Sequence, residues 1–254
     1  MELAIERTGA VLARSERILV ITGAGLSADS GMPTYRGLGG LYNGRTVEGV
    51  PIESALSGPM LRDQPGLCWK YLAELGRACL GARPNAGHDA IAELQRRKPQ
   101  CWVLTQNIDG FHRQAGSPAQ RLIEIHGELA PLYCQSCGQE SAGLAEHLSR
   151  PLPPKCARCA GVLRPPVVLF EEMLPEAAID TLYTELRKGF DAVLLVGTTA
   201  SFPYIIEPVL RTKAAGGFTA EVNPGLTDLS PVVEERMVGR ALDILPRLLS
   251  HIPR

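Results

Sequence analysis

Six short, almost unbroken apolar runs constrain this chain more than any other feature: residues 18–21 (ILVI), 102–105 (WVLT), 122–125 (LIEI), 167–170 (VVLF), 192–196 (AVLLV) and 218–222 (FTAEV). A strand with one wet face alternates apolar and polar residues. These runs do not, so they suit strands covered on both faces, the condition of a parallel sheet with helices above and below it. Helical patterns fill the gaps. Residues 88–97 carry Ile91 and Leu94 at helical spacing and follow Pro84 and Asn85, a helix-start signal. Residues 175–188 open on Pro175 and Glu176 and close on Arg187, Lys188 and Gly189, which matches the charge and cap preferences of helix ends. Residues 237–252 align Val238, Ala241, Leu242, Leu245, Leu248 and Leu249 on one stripe. Strands alternating with helices of this length predict an α/β fold, a Rossmann-like doubly wound parallel sheet.

Two stretches break the rhythm. Residues 37–66 are rich in Gly and Pro and lack a clear period; they predict loops and short helices beside the sheet, an excursion reaching to about residue 83. Residues 131–166 hold the pairs Cys134-x-x-Cys137 and Cys156-x-x-Cys159, with eighteen residues between them. Four thiolates at this spacing close a tetrahedral zinc site and leave no open position for chemistry. They predict one structural Zn2+ in a small zinc-ribbon insert, residues 127–165, flanked by the two parts of a Rossmann-like domain, residues 1–126 and 166–254. The remaining cysteines, Cys68, Cys79 and Cys101, lie in apolar surroundings and read as buried thiols.

Composition removes several classes of function. With 26 basic and 27 acidic residues in 254, the net charge is −1, so no broad field draws in DNA or an anionic membrane. Aromatic residues make up 5%, too few for a base-stacking surface. The apolar runs are too short to span a bilayer. The first residues, MELAIE, are acidic where a secretory leader is basic, and the chain is expected in the cytoplasm.

Residues 18–31 read ILVITGAGLSADSG. A strand running into Gly23-x-Gly25 and a helix start has the form of a phosphate-binding turn, although the same glycines also serve as a plain tight turn. A dehydrogenase would place a second strand ending in Asp or Glu about 20 residues later. Residues 37–42 read GLGGLY instead, which disfavours hydride transfer. Residues 105–109 (TQNID) follow the second run; polar groups at a strand's carboxyl end face the ligand crevice of an open α/β sheet, and they also fit an Asx turn that ends the strand. Residues 122–127 (LIEIHG) deliver His126 to a strand end, where an imidazole of ordinary pKa near ~6.5 suits a general base. His88 and His147 read as helix-surface residues, His112 as a helix-start residue and His251 as a residue near the chain end.

Taken together, GAGLSADSGMPTYRG (23–37), TQNIDGFH (105–112), IHGEL (125–129), the two cysteine pairs, RPPVVLFEE (164–172), GTT (197–199) and EVNP (221–224) resemble in order the sirtuins of bacterial type, NAD-dependent protein deacylases. The resemblance runs from about residue 10 to the C-terminus. It implies that NAD, as co-substrate, and an acyl-lysine protein or peptide bind between a Rossmann-type domain and a zinc-bearing small domain. The acyl oxygen displaces nicotinamide from the ribose; a base then lets a ribose hydroxyl attack the imidate, and water releases lysine and O-acyl-ADP-ribose. It implies catalytic roles for His126, as that base, and for Asn107, which orders ribose and water. Gly23, Ala24, Gly25, Ser27, Asp29, Tyr35 and Arg36 match the loop around phosphates and ribose. Gln106, Asn107, Ile108 and Asp109 match the nicotinamide end, with Asp109 on the carboxamide. Gly197, Thr198, Thr199, Asn223, Pro224 and Ala241 match the adenosine half. Val167, Val168, Phe170 and Glu171 match the segment that pairs with the substrate peptide as an added strand.

Three positions depart from the family's pattern: Tyr35 replaces the usual Phe, residues 197–203 (GTTASFP) bring their proline one place early, and Glu171 replaces a usual Gly. The branch that removes succinyl groups carries a Tyr and, three residues later, an Arg that pairs with the acyl carboxylate. Here Tyr71 is followed by Glu74, and Lys70 and Arg77 are off that spacing, so uncharged acyl groups are expected over succinyl. An alternative on the same NAD site is protein mono-ADP-ribosyl transfer. An NAD-sensing or zinc-ribbon nucleic-acid module is opposed by the charge balance and by only four basic residues within 131–166: Arg150, Lys155, Arg158 and Arg164.

Overall fold

The computed structural model describes residues 1–33, 46–141 and 143–253. Nine strands occur among them: β1 (Arg17–Thr22), β2 (Gln100–Thr105), β3 (Leu122–Glu124), β4 (Leu132–Cys134), β5 (Glu140–Ser141), β6 (Leu163–Arg164), β7 (Ala192–Val196), β8 (Phe218–Val222) and β9 (Glu235–Met237). Six pair in parallel in the order β3-β2-β1-β7-β8-β9, and three form a separate antiparallel sheet, β5-β4-β6. Ile18 lies opposite Cys101 on one side and Ala192 on the other, so β1 bonds along both edges. Its residues Ile18, Leu19, Val20 and Ile21 are 0% exposed, as an unalternating run requires. Two apolar clusters cover the opposite faces of this sheet, one holding Ile18 and Val20, the other Leu19 and Ile21. Strand order reverses at β1, between β2 and β7, and the crevice at that point is where open α/β sheets take ligands.

Five of the six runs are strands of the large sheet. The sixth, 167–170, is an extended connector instead. Val167 bridges Gly127, Phe170 bridges Ser57, and the segment is held between two loops outside the sheet ladder. The 237–252 stripe also begins later than its sequence suggests. Met237 ends β9, Val238 is 48% exposed, and the helix is Ala241–Ser250, with Ala241, Ile244, Leu245 and Leu248 buried. Helices Ala86–Arg97 and Glu176–Arg187 match expectation. The first is fixed by a reciprocal cap: the Asn85 side chain accepts from the Gly87 amide, and the Asn85 amide donates to His88 Nδ1.

Three helices of ten residues or more escape the sequence pattern, Pro203–Ala214 among them. Glu2–Arg14 buries Ile5, Thr8, Gly9 and Leu12, a stripe diluted by small and polar residues. Pro65–Gly81 buries Cys68, Trp69, Tyr71, Leu72, Ala73, Leu75 and Gly76, a band of about 200° round its axis, wide enough to blur the helical period. The excursion therefore contains a 17-residue helix besides the short Ile52–Ala55 and Gly58–Asp63. This helix and the cysteine insert share one core. Trp69, Leu72 and Leu75 pack in a cluster with Leu132, Leu148 and Leu163, and Trp69 Nε1 donates to the Leu163 carbonyl at 2.9 Å.

Candidate active site and metal centre

The carboxyl ends of β1, β2 and β7 converge at the switch point, and each delivers a tight turn. The Gly23 and Gly25 side-chain positions are closed by the third turn: a Cβ on either would lie 2.8 Å from the Gly197 carbonyl oxygen. Gly197 itself has φ 58° and would press a Cβ against the Leu26 amide at 2.4 Å. These glycines let two strand-end turns touch, and the Gly25 amide donates to the Gly197 carbonyl at 2.8 Å.

Around the turns lies a buried polar network. Ser27 Oγ donates to Asp109 Oδ2 at 2.7 Å, and the Phe111 amide donates to Asp109 Oδ1 at 2.9 Å. Asn107 Nδ2 donates to the Gly23 carbonyl and to Ser27 Oγ, both at 3.1 Å. Gln106 Nε2 donates to Thr198 Oγ1 at 2.8 Å, and Asn223 Nδ2 to the Thr198 carbonyl at 3.0 Å. Burial raises the Asp109 pKa above the ordinary carboxylate value, opposed by the Phe111 amide and Ser27.

Two histidines read as surface and helix-start residues are part of this network. His88, 0% exposed, lies 3.3 Å from Ser27 Oγ, and His112 Nε2 lies 2.9 Å from Thr22 Oγ1. Because His88 Nδ1 accepts from the Asn85 amide, its Nε2 carries the proton and donates to Ser27. Burial pushes the His88 imidazole down to about 4; burial, then the neighbouring His88, pushes His112 down to about 3. His147 is also buried, beside Ser141 Oγ at 2.8 Å. His251 is exposed.

His126 stands just past β3. Its Nδ1 is 2.9 Å from the Gln106 backbone carbonyl, which can only accept, so Nδ1 carries the proton and Nε2 the lone pair. Nε2 lies 2.7 Å from the hydroxyl of Tyr204, a contact that no sequence motif signalled. Burial holds the imidazole below its ordinary pKa, against the Gln106 hydrogen bond, so the ring is neutral near pH 7. The next residue must be glycine: Gly127 has φ 74°, and a Cβ there would sit 1.9 Å from the Pro166 carbonyl oxygen.

His126, Gln106 and Ile108 form one side of a small cavity of about 40 Å³. The other walls are apolar: Leu56, Leu72, Leu75 and residues 167–170. The connector is pinned to the histidine by the Val168 amide donating to the His126 carbonyl at 2.9 Å. The lining residues on the long helix are thus Leu72 and Leu75, one place after Tyr71 and Glu74. Tyr71 turns away to donate to Glu48 Oε2 at 2.6 Å, Lys70 pairs with the same carboxylate, and Arg77 lies on the surface. No cation stands among the described lining residues. Glu171 is exposed and adopts a left-handed φ of 66°, a conformation that glycine takes freely and that costs another residue about 1 kcal/mol or more. Its neighbour Glu172 grips Arg164 with both oxygens, at 2.6 and 2.8 Å.

Not every expected position joins this group. Asp29 is exposed and faces the Arg240 guanidinium at 3.6 Å. Thr199 and Pro224 are exposed at the rim, and Ala241 is buried in the core at the start of the last helix. Ala24 begins the short helix Ala24–Ser27 after Gly23. Tyr35 and Arg36 lie outside the described residues.

The cysteine pairs meet as expected. The four Sγ atoms of Cys134, Cys137, Cys156 and Cys159 lie within 4.8 Å of one another, with Cys134–Cys159 at 3.4 Å and Cys137–Cys156 at 3.8 Å. A tetrahedral zinc with Zn–S bonds of about 2.3 Å sets its sulfurs about 3.8 Å apart, so the donor set and its spread fit one Zn2+. Gly161 keeps the centre tight, since a Cβ there would lie 2.9 Å from Cys134 Sγ. Of the other cysteines, Cys68 and Cys101 are buried and Cys79 is half-buried.

The profile of the Sir2 family matches residues 23–202. The chain belongs to the Sir2 family. It is 83% identical over 243 residues to the NAD-dependent protein deacylase 2 of Pseudomonas aeruginosa, covering 96% of this chain and 95% of that one. Among solved Sir2 structures it is similar to a Sir2 homolog–NAD complex, with TM-score 0.84, 33% identity, and 97% and 93% of the two chains covered. It is also similar to a Sir2 with deacetylated p53 peptide and 3'-O-acetyl ADP ribose, with TM-score 0.88, 25% identity, and 98% and 99% covered.

Proposed function

We propose that this Sir2 chain removes acyl groups from protein lysines with NAD as co-substrate, releasing nicotinamide and passing the acyl group to ADP-ribose. NAD supplies the reacting ribose carbon and the leaving nicotinamide. One observation carries the reading: His126 belongs both to the polar crevice at the switch point and to the apolar cavity, so a single base faces a ribose and an acyl-lysine side chain together. In this reading His126 Nε2 accepts the ribose proton, its tautomer set by the Gln106 carbonyl. Asn107 and Asp109 order the ribose and carboxamide. Gln106, Ile108, Thr198, Thr199, Asn223 and Pro224, with Gly23, Ala24, Gly25, Ser27, Asp29, Tyr35, Arg36, Gly197 and Ala241, make up the rest of the cofactor site. Convergent side-chain donors at the ends of three parallel strands suit a polar dinucleotide.

Val167, Val168, Phe170 and Glu171 receive the peptide strand. The apolar walls at Leu72 and Leu75 favour an uncharged acyl chain, because a buried carboxylate would have no partner there. This keeps the sequence-based expectation on different residues from Tyr71 and Glu74. Residues 1–126 and 166–254 are read as the NAD-binding domain and 127–165 as the metal-held insert. Among the described residues no helix is long and apolar enough to cross a membrane, and we place the protein in the cytoplasm without nucleic-acid partners. The test is nicotinamide release from NAD, which must depend on an acylated lysine peptide and disappear with the unmodified peptide.

A further inference from the structure

The loop after β7 departs from the Sir2 pattern after residue 199, and its early proline has a geometric consequence. Pro203 opens the helix Pro203–Ala214, which places Tyr204 in the first turn, pointing back at the site. Its ring stacks on Phe202 at 5.3 Å and 9°, and Phe202 meets the His126 ring edge-on at 6.1 Å. The Tyr204 hydroxyl, 2.7 Å from His126 Nε2, faces the nitrogen that carries the lone pair. Burial pushes the phenol up to about 12, so it keeps its proton and donates.

We propose that Tyr204 is a positioning residue that occupies the base nitrogen of His126 in the free enzyme and gives way to the ribose hydroxyl of NAD. This rests on the reading of His126 as the base. A neutral imidazole nitrogen has one lone pair in its ring plane, so two donors cannot share it at full strength. The phenol satisfies a buried acceptor that would otherwise be unpaired before the co-substrate arrives, and its hydrogen bond must break for the ribose to make the same bond. The aromatic stack with Phe202 returns the phenol to that position. NAD binding therefore includes an exchange of one hydrogen bond for another at the same atom.

Tyr204→Phe keeps the ring and its stack while removing the donor. The expected result is an affinity for NAD raised about two- to tenfold, the size of one net hydrogen bond, with KM for NAD falling more than kcat changes. A loss confined to kcat at constant KM, or no change in either, overturns the proposal. Nitrogen-15 NMR of histidine-labelled protein, with His126 assigned by its disappearance in His126→Ala, gives a second readout. In the free wild-type enzyme Nδ1 is expected protonated and Nε2 unprotonated, and the Nε2 signal shifts in Tyr204→Phe; a protonated Nε2 or an unmoved signal also overturns it. The reading of His126 as base fails separately, by turnover surviving in His126→Ala.

Discussion

In the parallel sheet, β1 is six residues long, is hydrogen-bonded along both edges and is buried on both faces; in the cysteine insert, the longest strand has three residues and the shortest two. The sheet owes its shape to apolar area and a continuous backbone ladder. The insert has too few ladder bonds to hold itself and relies on four thiolates and on the neighbouring helix Pro65–Gly81. The difference teaches where function sits. The rigid sheet presents Gln106, Asn107, Asp109 and Thr198 at fixed positions, while the helix against which the insert packs supplies part of the opposite wall of the cavity, through Leu72 and Leu75.

Removing zinc tests the comparison most severely. Cys134→Ser, or chelation of the wild type, is expected to release the one metal ion and free the amides of residues 128–165 to exchange with solvent, while β1 and β7 stay protected. Hydrogen exchange read by mass spectrometry checks this. Uniform loss of protection in both regions would mean that the sheet also depends on the metal.

His126→Ala separates chemistry from architecture. Turnover is expected to fall by about 10²–10⁴-fold, the usual contribution of a general base, with zinc content and NAD binding largely retained. Steady-state rates alongside metal analysis settle the point.

The sheet region also carries a pH signature. His88 and His112 are buried and neutral, with pKa values lowered to about 4 and about 3, whereas unfolded histidines titrate near ~6.5. Below about pH 6.5 the unfolded chain binds protons that the native state does not, so stability falls with falling pH. Each histidine contributes a slope of up to about 1.4 kcal/mol per unit, and the slope ends only near the native values. Stability is unaffected by these two groups above that window. Denaturant titrations between pH 7 and pH 5 should show the loss; a flat profile would mean that the histidines are not held neutral.

Leu75→Arg probes the wall contributed by the long helix. It places a cation where the cavity has none, and kcat/KM for a succinyl-lysine peptide is expected to rise at least about tenfold relative to the acetyl form. Competition between the two peptides measures it, and an unchanged ratio would show that position 75 does not meet the acyl chain.

What could be read in the sequence was local. The apolar runs announced β1, β2, β3, β7 and β8 because burial on both faces leaves a mark within five residues, and the CxxC pairs announced their own cluster because the ligands lie near in the chain. His126, Asn107 and Asp109 were legible from their place at strand ends. What stayed hidden depends on contacts between distant segments. The connector 167–170 has the composition of a core strand, yet two loops take its hydrogen bonds. The helix Pro65–Gly81 blurs its period because its wide buried band packs against the insert, a contact between distant segments. His88 looks solvated on a helix until Ser27, sixty-one residues away, closes over it. Tyr204 meets His126 across seventy-eight residues, and only the folded chain brings them together.

The central claim is that one base between a polar crevice and an apolar cavity removes acyl groups at the expense of NAD. Its most direct test is mass spectrometry of an acetyl-lysine peptide incubated with the purified zinc-loaded protein and NAD. The expected products are a peptide lighter by one acetyl group, free nicotinamide and O-acetyl-ADP-ribose, in equal amounts. A peptide that keeps its acetyl group and gains ADP-ribose would contradict it, and would assign the site to ADP-ribosyl transfer instead.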